Sequence, residues 1–258
     1  MRQALMEIYV RLYGHFGPRH WWPADGPFEM IVGAILTQNV TWWSVTSAID
    51  NLKAAGLLSL EGLLAVPEED LSPLLRPTRY HIQKARKLQV FCRVVAAEHG
   101  GDLDAFLAQE AMGLRRRLLS IYGIGPETAD AIVLYAAGKP VFVIDAYTHR
   151  IFHRLGYFPE RISYREMQSL FIGALPPDAP LYNEYHALID ALGHHICTAR
   201  PHCEACPLAG LCQTGKTPDL ANSGPPFLWT PPPSFKEERN VCFPAASPDF
   251  DCPGENEC

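Results

Sequence analysis

The chain has 258 residues, a formal net charge of −6, 48% hydrophobic residues and 19% charged ones. That length holds one large domain or two modest ones, and the composition is that of a globular chain, which excludes a fibrous or largely disordered protein. No apolar run approaches the roughly 18–20 residues that span a bilayer, so no transmembrane helix and no membrane partner are expected.

The opening MRQALMEIYVRLYGHFG mixes Arg2, Glu7 and Arg11 into an amphipathic pattern. It predicts a helix in place of a signal peptide, and so a cytoplasmic protein. PFEMIVGAILTQ sets Phe28, Ile31, Val32 and Ile35 on one helical face. SVTSAIDNLKAAG and YHIQKARKLQVFCRVVAAEHG repeat that spacing, each closed by a glycine after the last turn. Arg76, Arg79, Lys84, Arg86 and Lys87 are candidates for phosphate contacts, although a solvated helix face suits Arg86 and Lys87 equally well.

In LSIYGIGPETADAI an apolar run ends in a tight turn. Gly123 and Gly125 let the backbone bend sharply and approach a partner closely. Pro126 is favoured as a first helical residue, and Glu127 in the first turn suits the helix dipole. A turn of this kind offers bare N–H groups to a phosphate. PETADAIVLYAAGK and MQSLFIGAL continue the helical spacing, whereas the β-like run VFVI (141–144) is too short to build a sheet. The predicted class is all-α. Asp145 opens the next helix, where an N-cap is worth about 1 kcal/mol.

Four of the eight cysteines fall in CTARPHCEACPLAGLC: Cys197, Cys203, Cys206 and Cys212. In a cytoplasmic chain such a cluster binds metal more often than it forms disulfides. Four thiolates suit zinc, and one compact loop with short gaps suits a [4Fe–4S] cluster as well; spacing leaves the two nearly even. Cys92 lies in a helix and reads as core. From Thr214 onward the chain is rich in proline, serine, glycine and acid, with three basic residues against seven acidic ones. It reads as a disordered tail carrying Cys242, Cys252 and Cys258 as free thiols. The rest of the chain is near neutral, so charge neither supports nor excludes DNA.

GIGPETADAI, then VIDAYTHRIFHRLG with Asp145, then the four-cysteine loop together resemble the endonuclease III-like DNA glycosylases, the helix–hairpin–helix-Gly/Pro-Asp superfamily, from about Phe28 to Cys212. The first cysteine gap is one residue shorter than in most endonuclease III proteins. The resemblance implies two helical lobes flanking a DNA-binding cleft. Residues 24–138 would form a six-helix barrel with the hairpin, residues 1–23 and 139–213 the second lobe with the cluster, and residues 214–258 the tail. It tips the metal question toward [4Fe–4S] on Cys197, Cys203, Cys206 and Cys212. It makes the partner double-stranded DNA with a damaged base, bound by a monomer.

The resemblance also assigns roles. Asp145 would stabilise the oxocarbenium-like charge on deoxyribose and orient the attacking water. Bifunctional members carry lysine where this chain has Glu127, and a carboxylate cannot form their Schiff base. The chain is therefore expected to be a monofunctional glycosylase without AP lyase activity. HWWPADG and LTQNVTWWSV resemble the 3-methyladenine branch, in which aromatics of these segments stack on the flipped base. Trp22 and Trp42 carry that over, with Glu127 at the pocket, and an electron-poor alkylated purine suits a π-rich wall. Since four of the five tryptophans lie here, at least one is expected to pack a domain junction. Gln38 would fill the hole left by the flipped base, and Lys84, Gly123 and Gly125 would contact the backbone. The alternatives are a bifunctional glycosylase/AP lyase for oxidised pyrimidines and a non-catalytic iron–sulfur DNA-binding protein.

Overall fold

Twelve α-helices form among the described residues, and local chemistry sets most of their ends. These residues are 1–38 and 40–214 of a computed structural model, and they contain no strand. The expected tail and its three thiols lie outside them.

Helix α1 (Arg2–Phe16) is followed by α2 (Pro27–Leu36) and α3 (Trp42–Ala54), then by the short α4 (Leu60–Ala65) and α5 (Glu68–Leu74). Helix α6 (His81–His99) is the longest; α7 (Leu103–Leu107) and α8 (Ala111–Leu119) lead to the glycine turn. After it come α9 (Pro126–Ala131), α10 (Ala146–Arg154), α11 (Tyr164–Ala174) and α12 (Ala179–His195). Side-chain oxygens take orphan amides at several starts. Ser59 accepts from Gly62 N at 2.9 Å, Asp178 from Leu181 N at 2.8 Å, and Ser163 with Glu166 completes a reciprocal capping box. Gly100, at φ 62° and ψ 21°, ends α6 in the left-handed conformation that a β-carbon disfavours.

One helix departs from expectation. PETADAIVLYAAGK has unbroken helical spacing, yet after Ala131 the chain widens into a π turn, Ile132–Ala136, with Ala137 N bonded to Ile132 O at 3.0 Å. The extra residue in the turn shifts the register of the side chains beyond it, and such bulges concentrate at functional sites.

Packing then brings distant segments together. Helix α12 lies against both α1 and α10, and α2 lies against the π turn. The VFVI run has no regular secondary structure, is buried, and runs straight into Asp145. Phe142 stacks on Phe171 with centroids 4.0 Å apart, and Phe152 and Tyr185 close edge-on around Phe171. Each such side chain contributes about 1.5–3 kcal/mol when fully buried. Phe142 joins this aromatic core to the segment that leads into Asp145. Among the described residues no helix is long and apolar enough to cross a membrane.

Candidate active site

Asp145 is the N-cap of α10. Its Oδ1 accepts from the Thr148 amide and from the Thr148 hydroxyl, both at 2.6 Å. The expected cap forms and uses Oδ1 alone, leaving Oδ2 outside it. Oδ2 faces His186 Nε2 at 3.8 Å.

The approach to Asp145 is fixed from behind. Asp130, fully buried, takes two bonds from Arg115 at 2.5 and 3.1 Å, and one each from Tyr164 OH and Gln168 Nε2 at 2.7 Å. Tyr164 OH in turn accepts from Ile144 N at 3.3 Å, and Gln168 also donates to Phe142 O. A buried carboxylate satisfied this fully holds three helices and the Asp145 strand-like segment in one register.

The glycine turn forms as the sequence predicts. Gly123 has φ +84°, Gly125 caps α9, and Pro126 is its first residue. A β-carbon on Gly123 would overlap the aliphatic stem of Lys87. Gln38 is tied to this turn: its Nε2 donates to Gly123 O and to Thr128 Oγ1, both at 3.1 Å, while Lys87 Nζ donates to its Oε1.

Lys84 departs from its expected place at a phosphate. It is 2% exposed, and its ammonium donates to Leu36 O at 2.9 Å and Thr78 O at 2.5 Å. Burial, with Lys87 nearby, lowers it to about 8. It ties down the C-terminal carbonyl of α2, where a cation is favourable. Lys87, one turn on, is the lysine at the hairpin.

Glu127 lies in the first turn of α9, exposed at its surface yet with neighbouring groups crowding its carboxyl. That crowding first, and the Asp145 carboxylate second, push it up to about 7. Asp190 on α12 is raised to about 7 for the same two reasons, with Arg19 opposing.

The tryptophans form one cluster. Trp22 meets Trp42 edge-on with centroids 5.1 Å apart, and Trp21 is tilted against both. Trp22 also touches Tyr135 at 5.4 Å. Trp22 and Trp42 are in contact with each other, so no slot for a base opens between them; what they offer is a wall. The fourth, Trp43, is 76% exposed. Gly33 lets Trp22 lie close, since an added β-carbon there would stand 3.2 Å from its Nε1.

Tyr135, His186 and Asp190 were not foreseen. Tyr135 projects from the π turn, and its hydroxyl lies 2.6 Å from His186 Nδ1. His186 and Asp190 are four residues apart on α12, a spacing that puts both on one face. That spacing was the available signal; nothing in the sequence marks Tyr135.

Cys197, Cys203, Cys206 and Cys212 border one small cavity with Arg154 and His202. All four are free thiols. Burial pushes Cys206 up to about 12, with the other three sulfurs adding to it. Arg154, at the end of α10, donates to Cys197 Sγ at 3.1 Å and Thr198 O at 2.7 Å, and its carbonyl accepts from Cys212 Sγ at 3.2 Å. Among the described residues no three His, Cys, Asp or Glu side chains gather tightly enough to hold a single metal ion. A four-thiolate zinc site would need its sulfurs about 3.8 Å apart, from Zn–S bonds of about 2.3 Å in a tetrahedron. Four cysteines around one cavity are a donor set that suits either that centre or an iron–sulfur cluster. A cavity of about 530 Å³ beside Asp25, Glu29 and Lys53 includes none of these residues.

The family model described as the HhH-GPD superfamily base excision DNA repair protein matches residues 32–177. The chain belongs to this superfamily and is a DNA glycosylase of base excision repair. It is 40% identical over 211 residues to a Methanocaldococcus jannaschii protein provisionally named a DNA repair glycosylase, covering 81% of this chain and 96% of that one. Among solved structures, a trapped endonuclease III–DNA covalent intermediate superposes with a TM-score of 0.73 at 24% identity, over 84% of this chain and 97% of the other. Helicobacter pylori 3-methyladenine DNA glycosylase bound to 1,N6-ethenoadenine gives 0.60 at 27% identity, over 74% and 94%. The partner of this chain is DNA, in keeping with a superfamily of base excision DNA repair proteins.

Proposed function

We propose that the protein is a monofunctional glycosylase that hydrolyses the N-glycosidic bond of an alkylated purine flipped out of duplex DNA. The observation that carries this reading is the carboxylate Glu127 beside Asp145, at the position where lyase-active members carry an amine. With no amine there, no imine forms at C1′, and water is the nucleophile. A 27%-identical neighbour named as a 3-methyladenine glycosylase supports the choice of base.

The flipped base stacks on the wall of Trp21, Trp22, Trp42 and Tyr135. Alkylation makes the purine electron-poor, which strengthens stacking against indole faces. The hairpin N–H groups at Gly123 and Gly125 take a backbone phosphate, and Gln38, braced by that same turn, stands behind the extruded nucleotide. As the C1′–N bond lengthens, positive charge grows on the sugar. Asp145, fixed by Thr148, meets it with a carboxylate that needs no reorganisation. Two lobes flank this cleft: residues 24–138 form one, and residues 1–23 with 139–213 form the other. Cys197, Cys203, Cys206 and Cys212 would hold a [4Fe–4S] cluster, whose part here would be to fasten their loop, while Arg154 ties the start of that loop to α10.

Duplexes carrying alkylated purines and oxidised pyrimidines, each assayed for base release and for borohydride trapping, test the reading. Release of an alkylated purine without a covalent adduct is expected. Trapping, or release of oxidised pyrimidines alone, would assign the chain to the bifunctional endonuclease III type.

A further inference from the structure

The pairing of Tyr135 and His186 behind Asp145 is more specific than packing requires. His186 is 8% exposed, and its Nε2 has no hydrogen-bond partner among the described residues although it points at Asp145 Oδ2. An unmet buried polar nitrogen costs free energy, so a fold that keeps one aims it at something.

Bonding fixes which nitrogen carries the proton. Tyr135 OH and His186 Nδ1 are 2.6 Å apart, and one of them donates. Were Nδ1 the donor, Nε2 would present a lone pair to a carboxylate oxygen, two acceptors facing each other. With Tyr135 donating, Nε2 carries the hydrogen and points it toward Asp145. The second arrangement satisfies the site, and burial keeps the ring neutral by lowering its pKa, against the opposing pull of Asp145. The separation from Nε2 to Oδ2, 3.8 Å, is too long for a direct bond and within the span of one bridging water.

We propose that His186 is a catalytic residue: its Nε2–H and Asp145 Oδ2 together hold the water that attacks C1′. This rests on the hydrolytic glycosylase reading above. The water accepts from Nε2–H through one lone pair, donates one hydrogen to Oδ2, and turns its other lone pair toward the sugar. Its oxygen bonds to C1′ while the C1′–N pair leaves with the base, and the water's proton passes to Asp145 Oδ2. In an N3-alkylated adenine that pair neutralises the ring's positive charge, so the departing base needs no proton. Thr148 is what makes the arrangement possible, because it occupies Oδ1 alone. Tyr135 is a positioning residue that acts through the tautomer of His186. Since its ring also touches Trp22, it connects the base wall to the water site.

Two measurements test this. In the wild-type chain, long-range proton–nitrogen NMR correlations of the His186 ring report its tautomer directly, without any turnover. Nε2–H is expected, and Nδ1–H would overturn the inference. In single-turnover excision, His186→Ala should slow base release about a hundredfold, the scale of losing one oriented donor. His186→Gln, whose amide donor reaches a similar point, should stay within about tenfold of wild type, and Tyr135→Phe should fall between the two. Melting temperature and affinity for undamaged duplex should hold in all three. A folded His186→Ala variant as fast as wild type would overturn the inference, as would a folded His186→Gln variant as slow as His186→Ala. A wild-type chain inactive on every lesion would overturn the glycosylase reading itself.

Discussion

Gln38 donates to the carbonyl of Gly123 at 3.1 Å, across 85 residues of sequence, so the end of α2 and the hairpin turn hold each other in place. Gly123→Ala tests that contact. The new methyl group meets a left-handed φ of +84° and the stem of Lys87 at once. The conformational part alone costs about 1–2 kcal/mol. Because Lys87 must shift, Gln38 loses the bond that Lys87 donates to its Oε1. Expected is a lowered melting temperature together with weaker binding to duplex DNA. Unchanged DNA affinity in a destabilised variant would make the turn structural only.

Lys84 and Lys87 should separate cleanly in a salt titration. Lys87→Met removes a cation at the hairpin, and the slope of log affinity against log salt should become shallower by about one. Lys84→Met leaves that slope alone. It strands the carbonyls of Leu36 and Thr78, at about 1–3 kcal/mol for each unmet buried group, so stability falls instead. A changed slope for Lys84→Met would restore it to the DNA surface.

These two lysines mark where the sequence could be read and where it could not. Gly123, Gly125, Pro126 and the Asp145 cap are local devices, each legible within a few residues. The cysteine spacing is equally local. Lys84 was misplaced because its charge outweighed its position: it shares the apolar stripe of Leu88, Phe91, Cys92 and Val95, the buried face of α6. The junction of Tyr135, His186 and Asp145 needed the fold, since its members come from a π turn, α12 and α10. Trp22 and Trp42 were foreseen as a pair, yet their edge-on contact depends on Gly33 admitting the ring.

For the cysteine loop, the purified chain should be brown with about four irons. Cys206→Ser should lose iron and, because Arg154 donates to Cys197 Sγ and Thr198 O in that loop, loosen the C-terminal end of α10. Hydrogen exchange at residues 150–154 reports this. One zinc and no iron by elemental analysis would identify a different site.

The raised pKa of Glu127 has a definite sign in stability. Its folded value of about 7 lies above the ordinary 4.5, so folding favours the protonated acid. That contribution is complete below pH 4.5 and is lost as pH rises through 7. Glu127→Gln removes the titration. Relative to wild type, its melting temperature should climb between pH 4.5 and 7 and level off above. The climb should shrink in an Asp145→Asn background, where the neighbouring charge is gone. A flat difference across that range would mean the carboxyl titrates normally.

Asp145→Asn separates the cap from the chemistry. Asparagine retains an Oδ1 that can accept from the Thr148 amide at the 2.6 Å contact, so most of the capping energy of about 1 kcal/mol survives. What disappears is the charge on Oδ2, the oxygen aimed at His186 and the cleft. If Asp145 only caps, stability and excision both change little. If it stabilises the cationic sugar, single-turnover excision falls by roughly two to three orders of magnitude in a folded protein. DNA binding should persist or tighten, because a carboxylate facing backbone phosphates opposes the ground-state complex. An N3-alkylated adenine is also lost without enzyme, so the uncatalysed rate is subtracted, and the measured drop is smaller than with a stable leaving base. Near-wild-type rates after that subtraction would remove Asp145 from the mechanism, and with it the water site it shares with His186.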